Sequence, residues 1–449
     1  LLEWLMRNRF IHLLLHSALL SVVFTDQSMG HDLPRSVTDE DYAEIDLDEA
    51  KLGQLLFYDS ILSGNKNIAC ATCHHPDLGT SDGVSLSIGE GGIGLGPERR
   101  VDENNMPEQS VPRNSPALFN LGAREFTVMF HDGRLEADSE FSSGIRSPLD
   151  EDMMEGFASV LSAQTMFPVL SRDEMAGSYD ENEIGRAVRQ GRITGEGGAW
   201  DMLAQRVAAI PEYADSFEAV YAHIEAPSDI RFTDISNAIA AFIAWEWRSD
   251  TSPFDALLRS EIKFDGPAQA GLELFYGKAN CVSCHSGPFL TDHSFHAVGA
   301  PQIGPGKSAT FETHYRDDGR FRVTGRSEDR FAFRTPSLRN VALTAPYGHA
   351  GAHKDLAAFV TAHADPVIGL ENYDASQAII VQPDAADYAI LQDPKERSDI
   401  IQSISVEPVA LNSEEIAAIE AFLQTLTDPV AKSGRLGIPS TVPSSLPVP

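Results

Sequence analysis

The stretch NIACATCHHPDLG, residues 67–79, decides how the chain is read, because Cys70, Cys73 and His74 make a Cys-x-x-Cys-His. A second copy, CVSCH, runs from Cys281 through Cys284 to His285, and the two motifs use all four cysteines of the sequence. The spacing suits c-type haem: two thiols add across the porphyrin vinyl groups, and the next histidine reaches the iron. One alternative is a zinc site built from the four cysteines. Structural disulfides are another, and they leave both histidines without a role.

The surroundings of the two motifs repeat as well. LGQLLFYD (Leu52–Asp59) precedes the first and AGLELFYGK (Ala270–Lys278) the second, each patterned as an amphipathic helix feeding a loop. PRNSPALFN and FHDGR follow in one half, RTPSLRNVALTAPYGHAG in the other. Such recurrence predicts an internal duplication. Further helices are expected at Ile184–Gln190, Asp201–Ile210, Ser236–Trp247 and Ser413–Thr427, with long Gly- and Pro-containing connections and few strands. The predicted fold class is mainly α, with two cytochrome c-like haem domains over residues 40–250 and 260–430. The join is expected near Ser249–Asp265, and a Pro/Ser-rich tail, residues 431–449, is expected to pack loosely on the surface.

The composition sets limits. Acidic residues number 66 against 34 basic ones, a net charge of −32, which disfavours nucleic acid and anionic membranes. With 42 % hydrophobic residues, 449 residues suffice for two or three buried cores. After Met6 come Arg7 and Arg9, an apolar run from Phe10 to Phe24, and then polar residues. That order predicts a secretory signal within residues 1–30, hence an exported protein with no membrane anchor once it is cleaved.

Taken together, LFYDSILSGNKNIACATCH, PRNSPALFN, FHDGR, GKANCVSCHSGPFLTD and FRTPSLRNVALTAPY resemble the bacterial di-haem cytochrome c peroxidases and their relative MauG. The likeness runs from about Leu52 to Pro429. It implies two covalently attached haem c groups, a peroxide-reacting N-terminal haem, an electron-relaying C-terminal haem and calcium between the domains. It also implies a periplasmic enzyme acting on hydrogen peroxide, fed by a small c-type cytochrome or copper protein, with a homodimer as a candidate assembly.

Carried over residue by residue, the resemblance makes several expectations specific. In the family a histidine beyond the first motif closes the first iron; in VSLSIGEGG that place holds Glu90, so an open iron is expected, with His131, Met106 and Met129 as side chains that could fill in. AQTMFPVLSRDEMAG matches the family's catalytic segment through Gln164, Pro168 and Glu174, with Glu174 as the acid/base residue. The family's inter-haem tryptophan is replaced by His131, a poor hole carrier, which weakens the expectation of radical sharing. MauG's surface tryptophan before the second motif corresponds to Ala279, which does not support that activity.

For the second iron, the nine methionines end at Met202, so no methionine lies in the C-terminal half. HKDLAAFVTAHADP places Leu356, Phe359, Val360 and His363 on one helical face behind a capping Asp355. The resemblance puts the second axial ligand at His363, with His349, His353 and Tyr347 as alternatives; imidazole in place of methionine lowers the potential. It also assigns calcium to the Asn114 side chain and to Thr344 and Pro346. Two other functions share this pattern: a MauG-like oxidase of an organic or protein substrate, and a non-catalytic di-haem electron carrier.

Overall fold

The computed structural model describes residues 32–308 and 312–449; the expected export segment over residues 1–30 lies outside them. Among the described residues, no helix is long and apolar enough to cross a membrane.

Five helices form the frame. Helix α1 (Leu47–Tyr58) starts at Asp46, whose carboxylate accepts from the backbone N–H groups of Asp48 and Glu49. It crosses α2 (Phe232–Glu246) at Gly53, where a Cβ would collide with the Ala238 carbonyl. Only glycine allows that approach. Phe57 seals the crossing, with ring centroids 5.2 Å from Phe242 and 5.3 Å from Trp247.

The C-terminal half repeats the arrangement. Helix α3 (Gly266–Tyr276) crosses the later helix at Gly271, against the Ala418 carbonyl, and Phe275 lies 5.1 Å from Phe422. Between them in sequence stands α4 (Leu356–Ala364); Ala418 and Phe422 belong to α5 (Ser413–Gln424). The expected helices all form, with ends shifted by a few residues, as at Glu183–Arg189 and Ala199–Ala208. Strands are two or three residues long; the largest sheet joins Val128–Met129, Leu135–Ala137 and Ile145–Arg146 antiparallel.

The join is a buried seam. Asn120 and Asn340 both take left-handed backbone (φ 61° and 62°), and both side-chain amides end on Ser249: one on its carbonyl at 3.1 Å, the other on its hydroxyl at 2.9 Å. Ser249, Ser252 and Asp255 are fully buried, and Asp255 meets Arg339 at 2.6 Å with neither side chain exposed.

The tail corrects an expectation, since residues 435–446 are fastened to the N-terminal half. The Glu246 carboxylate accepts the backbone N–H groups of Arg435, Leu436 and Gly437 at 2.6–2.9 Å. Ser444 donates to Asp59 at 2.7 Å, and Val442 is buried in that half's core. A buried carboxylate at the end of α2 needs donors, and the glycine-containing tail supplies three of them.

Candidate functional site

Cys70–Cys73 forms a single helical turn, and the His74 N–H closes on the Cys70 carbonyl at 3.0 Å. Nδ1 of His74 donates to the Thr80 carbonyl at 2.9 Å, which makes Nε2, 3.4 Å from the Ser115 hydroxyl, the atom that could ligate a metal. Burial pushes the ring's pKa down, so it stays neutral. The second motif does the same: Nδ1 of His285 donates to the Leu290 carbonyl at 3.2 Å. Thr80 and Leu290 both adopt positive φ, 61° and 54°. Left-handed backbone at a leucine is uncommon; here it turns a carbonyl onto the imidazole.

Burial raises the Cys70 and Cys281 thiols to about 12 and Cys73 to about 11. Such thiols stay protonated and are poor redox nucleophiles or thiolate ligands. Cys70 and Cys73 pack against one core and Cys281 against another, which argues against a single zinc site shared by all four cysteines.

Opposite His285 stands His363. Asp355 caps α4 by accepting from the Ala358 N–H at 2.8 Å, and the helix carries His363 to a ring-centroid distance of 6.5 Å from His285, at 52°. Two imidazoles sharing one metal, each about 2 Å from it with about 1.1 Å more to the ring centre, span roughly 6.3 Å. The pair therefore fits one iron. Burial and the neighbouring His363 push His285 down to about 4, which keeps it a neutral ligand. Of the alternatives, Tyr347 donates to the Val341 carbonyl, His349 lies flat on Phe333 with both ring nitrogens unpartnered, and His353 meets Phe359 and Tyr373 edge-on.

No second imidazole has a ring contact with His74 among the described residues. Met106 is 57 % exposed, and Met129 is buried in a short strand of the core. Nε2 of His131 donates to the Asn114 carbonyl at 3.2 Å. Glu90 is 5 % exposed, and its Oε1 accepts from the amides of Asn65 (2.9 Å), Asn67 (2.6 Å) and Asn105 (2.8 Å). Its backbone N–H donates to the Asp173 carbonyl at 3.1 Å, tying the Gly89–Gly91 loop to the turn that carries Glu174. Nothing in the sequence near Glu90 announced these asparagines.

Glu174 sits in a π-turn, Arg172–Ala176, capped by Ser171, whose hydroxyl accepts the Glu174 N–H at 3.3 Å. Turns of this kind often mark functional positions. Burial pushes the Glu174 carboxyl up, opposed by the positive charges of Lys307 and Arg134, and its own charge reaches Cys73. Lys307 is a C-terminal-half residue that the sequence reading missed; burial lowers it to about 8. Pro168 opens the turn Pro168–Leu170, and Oε1 of Gln164, on the helix before it, is buried without a partner. An orphaned buried acceptor fits a bound group that carries its own proton donor.

For calcium, the Asn114 amide nitrogen is committed to the carbonyls of Val84 and Ser85, leaving its oxygen available. No hydrogen bond joins Asn114 to Thr344 or Pro346 among the described residues. One compact set of metal-type donors does occur among them, Cys284, Asp292 and His296. A Cys284 bound to haem as a thioether has no thiolate to offer it; the pairing of His296 with Asp292 at 2.9 Å remains.

Comparison with known proteins agrees with this geometry. Residues 48–263 match the family described as di-haem cytochrome c peroxidase. The methylamine utilization protein MauG of Methylorubrum extorquens is 30 % identical over 322 residues, 71 % of this chain and 69 % of that protein. Cytochrome c551 peroxidase of Pseudomonas aeruginosa is 28 % identical over 320 residues, 71 % of this chain and 72 % of that one. Among solved structures, a MauG-like protein associated with microbial copper homeostasis aligns with a TM-score of 0.54 at 26 % identity, covering 91 % of this chain and 96 % of that one.

Proposed function

Because the chain belongs to the di-haem cytochrome c peroxidase and MauG family, we propose that it is an exported, periplasmic c-type peroxidase that reduces hydrogen peroxide to water. A small soluble redox protein supplies two electrons, and with two protons each peroxide gives two waters. The supporting observation is the unequal furnishing of the two motifs: His285 faces His363 across 6.5 Å, while His74 faces no imidazole among the described residues.

Cys70, Cys73 and His74 would hold one haem c, and Cys281, Cys284, His285 and His363 the other. Haem held at the first motif would supply the redox chemistry of O–O cleavage. The chain's own part is proton handling. The Glu174 carboxylate takes the proton from the entering peroxide oxygen and returns it to the leaving one. Oε1 of Gln164 accepts a hydrogen bond from the peroxide O–H, and Pro168 closes the wall beside it. The three asparagine amides hold the Glu90 carboxylate and so keep its loop from folding over the site. Calcium at Asn114 Oδ1 and the Thr344 and Pro346 carbonyls is the proposed brace between the halves, since oxygen-only donors suit that ion.

The test is a low-temperature EPR spectrum of the oxidised, as-isolated protein, followed by peroxide mixing without a reductant. One high-spin and one low-spin bis-imidazole signal, with rapid reaction of the high-spin species, is expected. Two low-spin signals and no reaction would leave an electron carrier, or an enzyme needing reductive activation.

A further inference from the structure

The seam between the halves holds donors that the chain's own carboxylates do not answer. Arg113 is answered: its guanidinium reaches Asp132 at 2.7 Å and Asp317 at 2.6 Å. Arg334 is not. Its backbone N–H donates to the His131 carbonyl at 2.8 Å, and its Nε reaches the Phe130 carbonyl at 3.3 Å. Nη1 is buried without a partner, and the side chain makes no ion pair among the described residues.

His349 shares the predicament. It is 5 % exposed, and neither ring nitrogen has a partner. Its ring lies flat on Phe333, the residue before Arg334, with centroids 3.8 Å apart at 11°. Its carbonyl accepts the Asn114 N–H at 2.9 Å, and the Asn114 carbonyl accepts from His131, so these groups belong to one packed cluster. A neutral imidazole always carries one N–H, and buried donors are almost always paired. The nearby carboxylates, Asp132 and Asp317, are already held by Arg113.

A guanidinium and an imidazole N–H left open within one hydrogen-bonded cluster suit an anion with two acceptor oxygens. Each haem brings two propionates, which are such anions. We propose that Arg334 and His349 clamp a haem propionate at the seam between the two halves, an inference that rests on the two-haem reading above. Neutralising that propionate removes a negative charge that would favour ferric iron, so the clamp raises the potential of the haem it holds. A dissolved carboxylate, phosphate or chloride is the other source of the same chemistry.

The experiment uses the holoprotein with Arg334→Gln, Arg334→Lys and His349→Gln. A pyridine haemochrome count comes first, because fewer than two haem c per chain would sink the two-haem reading and not the clamp alone. With two haems present, resonance Raman spectra should show a shifted propionate-bending band in Arg334→Gln and His349→Gln. The midpoint potential of one haem should fall in both, while Arg334→Lys retains it and added chloride or phosphate changes nothing in the parent protein. Unchanged bands and potentials in His349→Gln and Arg334→Gln would overturn the proposal; His349→Gln suffices if the arginine variant does not fold. Potentials that follow the added anion, with the propionate band fixed, would also overturn it in favour of a dissolved ion.

Discussion

Around His74 and around His285 the chain builds one socket twice: a helix crossing closed by a glycine, a Cys-x-x-Cys turn, and a left-handed residue whose carbonyl fixes the imidazole tautomer. Beyond the metal position the halves part. The second half sends a capped helix to deliver His363, whereas the first ties a glycine-rich loop down through Glu90 and three asparagines. The proximal parts are rigid backbone devices and recur; the distal parts are long-range side-chain contacts and do not. The difference between two similar halves therefore rests on a few residues.

The sharpest way to break the comparison is to make the halves alike. His363→Ala should abolish the low-spin bis-imidazole EPR signal and add a second high-spin one; persistence of the low-spin signal would mean another ligand serves the second iron. Glu174→Gln should slow peroxide reaction at the first half by roughly 10²–10⁴-fold while leaving both EPR signals in place. The base is the deprotonated carboxylate, and burial raises its pKa, so the native rate should fall as pH drops through a value above the ordinary glutamate range. Stopped-flow traces of the Gln variant should lack that inflection.

The seam offers a test of stability. Asp132 and Asp317 are both held well below the usual carboxylate range, with Arg113 the main opposing force to their burial. Arg113→Met strips Asp317 of its ion pair and leaves Asp132 with Arg134 alone, and should cost about 3–5 kcal/mol in denaturant unfolding. In the native protein this contribution is complete above about pH 4, the unfolded aspartate value, and is lost as pH falls toward the folded values. An unaltered acid limb in the variant would place the stabilisation elsewhere. The smallest effect sharpens the likeness: Gly53→Ala and Gly271→Ala should each cost about 1–3 kcal/mol, by the same overpacking of a helix crossing. Unequal losses would show that the two crossings are not equivalent.

What the sequence made legible was local or periodic. The two Cys-x-x-Cys-His motifs, the face holding Phe359 and His363, and the capping Asp355 all lie within one element, and the structure places them as the pattern implies. The three amides on Glu90 come from positions 65, 67 and 105, and no short-range rule links them to a carboxylate at position 90. Lys307 reaches the neighbourhood of Glu174 from across the seam, and Arg334 pairs with no carboxylate in a window around it. Met106 and Met129 show the opposite failure: right in chemistry for a ligand, they are removed by exposure in one case and by core packing in the other.

The fastening of residues 435–446 onto the N-terminal half bears on the order in which the molecule can be made. A ribosome releases the first half long before it releases the segment whose backbone caps Glu246 and whose Ser444 reaches Asp59. Until then Glu246 stands without these donors. Completion of these contacts is thus linked to synthesis of residues 435–446, and a nick near position 434 would be felt first some 190 residues upstream, at the end of α2.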